Sequence, residues 1–192
     1  KPLVFYMLHE EQNYVFEIVR ELGAETKLIH HSRTTISCRE KLELLKEENL
    51  KEFSEWTLDR IVKALYFSRN GLPFLGVITP EFERNIKSKD IFSGALGMPK
   101  GKAERYWIDP NHVPRGMSWG TCTPFPLIAS VGTEISDLII IDHNPVKNKL
   151  VNISIGGTGE GALRTSMHLP YQLIYEILKK TFGDRVHFFN YP

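Results

Sequence analysis

The segment Arg60-Ile-Val-Lys63-Ala-Leu-Tyr-Phe-Ser68 is followed by Asn70-Gly71 and then by Leu72-Pro-Phe-Leu-Gly-Val-Ile-Thr79. Both long runs are apolar and β-favouring, and Asn-Gly is a strong signal for a tight turn between two strands. We therefore predict a β-hairpin over 60–79. This hairpin contributes most to the prediction of the fold class, because helical and strand patterns occur both before and after it in the sequence.

Helical patterns flank the hairpin. Apolar residues recur at helical spacing from His9 to Leu22, and Ser37-Cys-Arg-Glu40 has the form of a capping box that opens a helix. The charge-rich stretch 46–55 is typical of a solvated helix with a few buried anchors. Thr79-Pro80-Glu81 offers an N-cap and an N1 proline for a helix directly after the hairpin. Pro170 begins a last helix, which ends at Gly183.

Short strands complete the pattern. They are predicted at Thr26–His31, Arg105–Ile108, Leu138–Asp142, Leu150–Ile155 and Val186–Phe189. Strands and helices do not alternate strictly, which disfavours a parallel doubly wound fold. We predict one α+β domain over residues 1–192, with a mixed, mostly antiparallel central sheet flanked by helices.

Composition limits the function classes. Lysine and arginine number 24 against 23 acidic residues, so no global positive field indicates nucleic acid or an anionic membrane. Apolar runs are shorter than the roughly 20 residues that span a bilayer. Cys38 and Cys122 support neither a disulfide framework nor a zinc site, and a reducing cytoplasm is the simpler setting. One local cationic patch contains Arg84, Lys87, Lys89, Lys100, Lys102 and Arg105.

Lys63 is the first candidate for chemistry. It lies in a strand that the pattern predicts to be largely buried, where an ammonium group needs solvent, a partner or a ligand. Strand alternation by itself explains it as an exposed-face lysine.

The second candidate is Gly120-Thr-Cys-Thr-Pro124-Phe-Pro126, in which glycine permits close backbone approach and prolines stiffen the loop. A structural turn is the alternative, and Cys122 has no identifiable base for a nucleophilic role.

The third candidate is Gly156-Gly-Thr-Gly-Glu-Gly161, a glycine-rich turn after an apolar strand. It lacks the Gly-Lys-Ser/Thr ending of a P-loop and does not fit Gly-x-Gly-x-x-Gly. Arg164, Thr165, Ser166 and His168 add polar groups for the same cleft, or else serve the opening of the helix at Pro170. No histidine cluster has metal-ligand spacing, and no Gly-x-Ser-x-Gly elbow is present, so neither a metal centre nor a serine hydrolase is favoured.

These motifs, in this order, resemble the family that contains YbaK and the editing domain inserted into bacterial prolyl-tRNA synthetase. Val62-Lys63-Ala64-Leu65 is similar to its Lys-Thr-Leu strand, and Gly116-Met-Ser-Trp-Gly120-Thr-Cys-Thr-Pro124 to its Gly-x-x-x-Pro loop and lead-in. The run 153–163 is similar to its closing strand and glycine turn. Ala64 stands where the family usually has threonine, and Pro126 where many members have glycine. The resemblance covers about 14–178.

The resemblance implies hydrolysis of the ester of mischarged aminoacyl-tRNA, acting in trans on a small amino acid carried by the proline tRNA or a related one. It implies no metal or organic cofactor. Its expected partners are the tRNA acceptor end and an aminoacyl-tRNA synthetase, with no membrane. Lys63 and Gly120 are the expected catalytic residues. The expected substrate contacts are Thr121, Cys122, Thr123, Pro124, Gly156, Gly157 and His168, and the cationic patch is the expected tRNA contact.

Two other hypotheses remain open. A catalytically inactive tRNA- or synthetase-binding module on the same fold predicts salt-sensitive tRNA binding through the cationic patch without deacylation. A small-molecule or nucleotide-binding domain centred on the Gly156 turn is the third.

Overall fold

The computed structural model describes residues 16–17, 19–21, 26–70, 72–82, 87–125 and 134–190. Within these residues the strands are β1 (Lys27–His30), β2 (Val62–Arg69), β3 (Leu72–Pro80), β4 (Ile135–Asp142), β5 (Leu150–Ser154), β6 (Thr165–Pro170) and β7 (Val186–Asn190). The helices with assigned bounds are α1 (Cys38–Glu48), α2 (Leu50–Phe53), α3 (Ser88–Leu96), α4 (Lys100–Ala103), α5 (Glu160–Leu163) and α6 (Tyr171–Phe182). Short 3-10 turns lie at Leu58–Arg60, Asn144–Val146 and Gly183–Arg185.

The strands form two sheets. The first is antiparallel, with the order β1-β6-β5, and the second is mixed, with the order β2-β3-β4-β7. In the second sheet β2 and β3 are the predicted antiparallel hairpin, whereas β3–β4 and β4–β7 are parallel. A parallel bridge between Ile61 and Asn152 links the two sheets. The α+β class is therefore confirmed, with the strands divided between two sheets.

β4 is apolar on both of its faces. Leu138 and Ile140 pack into a core that contains the apolar face of the first sheet and α6. Ile139 and Ile141 pack on the other side, against α3 and α4. A strand buried on both faces reads as a continuous apolar run, which is what 138–141 shows. The second sheet is thus the middle layer of the molecule.

A third, smaller apolar cluster lies under α1 and α2. Leu45, Phe53, Trp56 and Ile61 form it, with Ile29 of β1 packed against them. Ser37 caps α1 as predicted, because its side chain accepts from the backbone N–H of Glu40 at 3.2 Å. The Glu40 carboxylate in turn accepts from the backbone N–H of Ile36. These two helices cover the face of the first sheet that carries its polar side chains.

Several local predictions are wrong. No helix begins at Thr79-Pro80-Glu81, because β3 runs through Pro80 in register with Val62, and the Thr79 hydroxyl bonds to the Pro80 carbonyl. The next described helix is α3, which begins at Ser88. The polar run 164–168 does not open a helix: most of it forms β6, the central strand of the first sheet.

Other elements differ only in their extent. The helix predicted over 46–55 is divided, since α1 ends at Glu48 and Asn49 caps α2. Of the strand predicted at 105–108, Trp107 forms a single bridge to Ser68. The helix predicted from His9 to Leu22 lies largely outside the described residues, of which 16–17 and 19–21 are helical. The last helix and last strand are confirmed as α6 and β7.

Gly76 of β3 provides a test of the packing between neighbouring strands of the second sheet, since it pairs with Tyr66 of β2 and Leu138 of β4. A Cβ at this position would lie 2.5 Å from Leu138 Cδ2 and 2.9 Å from Tyr66 Cε1. We expect Gly76→Ala to lower the free energy of unfolding by about 1–3 kcal/mol through overpacking. The matched control is Gly101→Ala, since a Cβ on that helical glycine meets no atom within 4 Å. Urea unfolding of both variants measures the difference, and equal stabilities would contradict the register of β3.

Candidate functional site

A cleft of about 460 Å³ opens where the two sheets meet. Its walls are the start of α1 with the segment before it, the start of β2 with Glu81, and the loop at Trp119–Cys122. Residues of β5, β6 and α5 complete the lining. Residues from two separate candidate motifs line this one cleft: Lys63 from the first, and Gly120 and Cys122 from the second.

Lys63 is held by a carboxylate. Its ammonium group forms an ion pair with Glu81, at the end of β3, and its side chain remains 36% exposed. Cys38, in the first turn of α1, lies beside this pair. Burial, followed by the charge of Glu81, raises the pKa of the Cys38 thiol to about 12. The neighbouring groups are therefore an ammonium, a carboxylate and a neutral thiol.

Gly120 occupies a position that requires glycine. Its φ of 94° is in the left-handed region, and a Cβ would lie 3.0 Å from Leu163 Cδ2. The adjacent Cys122 also lines the cleft, and burial raises the pKa of its thiol to about 11. Neither cleft cysteine is thus a thiolate near neutral pH, which argues against a cysteine nucleophile.

The loop that carries Gly120 is tied to the glycine turn after β5. The Thr121 hydroxyl donates to the Gly157 carbonyl at 2.6 Å, and the Gly157 N–H donates to the Gly116 carbonyl at 2.7 Å. Gly156 and Gly157 have φ values of 79° and 90°. Two of the predicted motifs are therefore parts of one hydrogen-bonded assembly.

The remaining loop residues face inward. Thr121, Thr123 and Pro124 are buried. The Thr123 carbonyl accepts from the Tyr66 hydroxyl at 2.7 Å, and the Thr123 hydroxyl accepts from the Phe125 N–H. Their side chains, like Gly156 and Gly157, support the cleft wall and are not part of its lining. Pro126 lies outside the described residues.

His168 lies apart from the cleft lining. It is buried on β6 against two aromatic rings, with its ring centroid 5.3 Å from that of Phe53 and 4.7 Å from that of Trp56. Its Nε2 has no hydrogen-bond partner within the described part of the chain. Burial, with smaller effects of Lys27 and His31, lowers the pKa of His168 to about 3. This histidine is a neutral core residue at physiological pH.

The cationic patch lies on α3, α4 and the residues that flank them. Lys87, Lys100, Lys102 and Arg105 are exposed, and Lys89 forms an ion pair with Glu104 at 3.1 Å. Arg84 is outside the described residues. α3 and α4 bury their apolar side against β4, which leaves these cations at the surface.

The structure adds Lys41 and Asn152, which the motifs did not indicate, and it places the predicted Ser166 in the cleft lining. Lys41 of α1 lines the cleft, and burial lowers the pKa of its ammonium to about 8 against the opposing effects of Glu48 and Cys38. Asn152 and Ser166 also line it. Ser166 bonds to the buried His31, and His31 bonds to Glu48. Ser166 was predicted as a polar group of the cleft, but its place on a strand was not.

The described residues contain no group of three or more His, Cys, Asp or Glu side chains arranged to hold a metal ion. Within the same ranges, no helix combines the length and the apolar character needed to cross a membrane.

Buried His168 predicts acid sensitivity. The unfolded chain has the ordinary histidine pKa of 6.5 and the folded chain about 3, so only the unfolded state binds this proton in between. The stabilisation is present above pH 6.5 and is lost as the pH falls through that window, by about 2 kcal/mol from pH 7 to pH 5. His31, whose pKa is also lowered, adds a loss of the same sign.

We expect His168→Phe to unfold with a weaker pH dependence than the wild type over this range. Denaturant unfolding at pH 7, 6 and 5 measures it. His112→Gln, at an exposed position, is the control and should follow the wild type. The same slope for His168→Phe and the wild type would contradict the buried neutral state.

No protein-family model matches the chain, and no curated protein matches it. A solved structure described as hypothetical protein APE2540 is similar to this chain, with a TM-score of 0.55 and 17% sequence identity. The match covers 90% of this chain and 95% of that chain. Likeness at this identity shows a shared fold, and it supports the α+β architecture.

Proposed function

We propose that this chain is an aminoacyl-tRNA deacylase that hydrolyses the ester of mischarged tRNA in the cleft beside Lys63. The observation that carries the proposal is the convergence of Lys63, Gly120 and Cys122 in one cleft of about 460 Å³. A volume of this size is in the range of small-ligand sites and suits an aminoacyl group with its terminal ribose. The motif resemblance to the YbaK and prolyl-tRNA synthetase editing family supports the same reaction.

Ester hydrolysis develops negative charge on the carbonyl oxygen. Donors aimed at that oxygen stabilise the transition state, and removal of one typically costs about 10²–10³ in rate. Lys63 has three ammonium donors and uses one on Glu81, so it retains donors for the substrate. In the proposal, the backbone around Gly120 supplies further donors. The ties from Thr121 and Gly157 hold that backbone before substrate binds, which reduces the ordering cost.

The cleft lining suits a small apolar amino acid and a nucleobase. Val62, Ala64 and Leu163 present short aliphatic surfaces. At the cleft, Trp119 is 51% exposed and Ile36 is 92% exposed. An aromatic ring exposed at a binding site is a platform for base stacking, worth about 1–3 kcal/mol per base. We therefore propose that Trp119 receives the terminal base of the tRNA. From the family resemblance we further propose that the tRNA is the proline tRNA or a related one, and that a synthetase is a partner. The proposed compartment is the cytoplasm.

Lys63→Ala tests the catalytic role. We expect a loss of at least 10²-fold in the rate of ester hydrolysis, because the carbonyl loses its cationic donor, with little change in the melting temperature. A panel of mischarged tRNAs provides the assay. The matched control is Lys27→Ala, which removes another strand lysine in an ion pair, with Glu52 at 2.8 Å, away from the cleft. Turnover unchanged in Lys63→Ala would rule out the assignment.

The Lys63–Glu81 ion pair favours one alternative, an inactive tRNA- or synthetase-binding module. A carboxylate that balances the lysine charge weakens its pull on a developing oxyanion. Both functions need tRNA binding, but only the deacylase needs turnover. Specific tRNA binding without hydrolysis of any charged tRNA would support the module.

The cationic patch is tested by charge reversal. We expect Lys100→Glu with Lys102→Glu to weaken tRNA binding and to lower the slope of log K against log salt by about 2, one unit for each lost phosphate contact. Filter binding between 50 and 200 mM salt measures the slope. Lys179→Glu with Lys180→Glu, in the last turn of α6, makes the same charge change elsewhere. Equal losses in both double variants would show a general charge effect and no specific patch.

A further inference from the structure

A serine, a histidine and a carboxylate form a continuous hydrogen-bonded series that begins at Ser166 in the cleft lining. Ser166 Oγ lies 2.7 Å from His31 Nε2, and His31 Nδ1 lies 2.9 Å from Glu48 Oε2. Asn152 Nδ2 donates to the same Ser166 Oγ at 2.7 Å. Ser166 lies on β6, His31 directly follows β1, and Glu48 is the last residue of α1. This order of groups is the arrangement that activates a serine hydroxyl in acyl-transfer enzymes.

The protonation states follow from the partners. Burial raises the pKa of Glu48, but hydrogen bonds from the Ser32 backbone and side chain and from His31 outweigh it and lower the pKa below its ordinary value. Glu48 is therefore an acceptor only, and His31 Nδ1 must carry the proton. His31 Nε2 is then an acceptor for the Ser166 hydroxyl. Burial, with the charge of Lys41, lowers the pKa of His31 and keeps it in this neutral, basic form.

The position of Ser166 distinguishes this series of hydrogen bonds from an ordinary buried network. The Ser166 hydroxyl group belongs to a residue that lines the cleft, whereas the His31 side chain has no exposed surface. Ser32 fixes the Glu48 carboxylate through its N–H at 2.7 Å and its hydroxyl at 2.9 Å. The buried base is thus held at Nδ1 by an oriented carboxylate, and its Nε2 is directed at the serine that lines the cleft.

We propose that Ser166 is a nucleophile that attacks the carbonyl carbon of an ester bound in the cleft, with His31 as its general base and Glu48 as the positioning residue for His31. The proposal rests on the proposed function for the identity of the ester. Ser166 Oγ bonds to the carbonyl carbon, its proton passes to His31 Nε2, and the departing alcohol oxygen takes that proton as the ester bond breaks. Water then attacks the acyl-serine, gives a proton to His31, and releases the acid, with the proton returned to Ser166.

The start of α1 borders the same site. Ser37, Cys38 and Arg39 line the cleft, so the positive end of an 11-residue helix lies beside the bound ester. That end of a helix favours a developing oxyanion. The serine, its base and the helix terminus therefore supply separate parts of one acyl-transfer site.

An alkyl fluorophosphonate tests the nucleophile directly, since it forms a stable adduct with an activated serine and releases fluoride. We expect intact wild-type protein to take up one adduct, located by peptide mass spectrometry at Ser166, and urea-unfolded protein to take up none. Ser166→Ala should remove the adduct, and His31→Gln should slow its formation by about 10²-fold or more. Ser93→Ala, which removes a serine of α3 outside the cleft lining, should be labelled as the wild type is.

The outcomes distinguish this inference from the proposed function. Folded wild-type protein without an adduct at Ser166 overturns the inference. This holds even if Ser166→Ala lowers the melting temperature, because the loss of a purely structural serine would lower the melting temperature as well. Deacylation of mischarged tRNA at an unchanged rate by folded Ser166→Ala overturns it as well and leaves the proposed function standing. An adduct at Ser166 that depends on His31, in a protein that deacylates no tRNA, supports the nucleophile and rejects the tRNA substrate.

Discussion

The burial of β4 on both faces is the constraint on which the rest of the structure depends. Its run at 138–141 is apolar without interruption, so both sides of the second sheet must be covered. α6 and the first sheet cover one side, and α3 and α4 cover the other. The first sheet then has one face committed to this core. Its other face carries Asn152, Ser166 and His168 beneath α1 and α2.

This arrangement explains why the cleft forms where it does. The two sheets meet at the Ile61–Asn152 bridge, and the cleft lies beside that junction, with α1 on one side and the Gly120 loop on the other. The described part of the Gly120 loop forms no helix or strand, so it lacks the backbone hydrogen bonds of a regular element. Hydrogen bonds of Thr121, Gly157 and Tyr66 hold it in place instead.

The polar face of the first sheet contains two buried histidines in different circumstances. His168 has aromatic neighbours and contributes to stability as a neutral core residue. His31 is hydrogen-bonded at both ring nitrogens, between a carboxylate and a serine. Burial disfavours the charged form of both side chains. His31 bonds to Ser166, which lines the cleft, so in our proposal the same physical effect serves packing in one case and acid–base chemistry in the other.

Local pattern determined the hairpin, the Ser37 cap, α6 and the α+β class, because each depends on residues close together in the chain. It also selected Lys63 and Gly120. It missed β6 and the end of β3, since a polar strand in the middle of a sheet and a proline inside strand pairing are decided by their partners. The Ser166–His31 contact joins residues 135 apart in sequence, so no local sequence pattern predicts it. Tertiary structure alone decided which polar groups share the cleft, because strand register and helix packing set those distances.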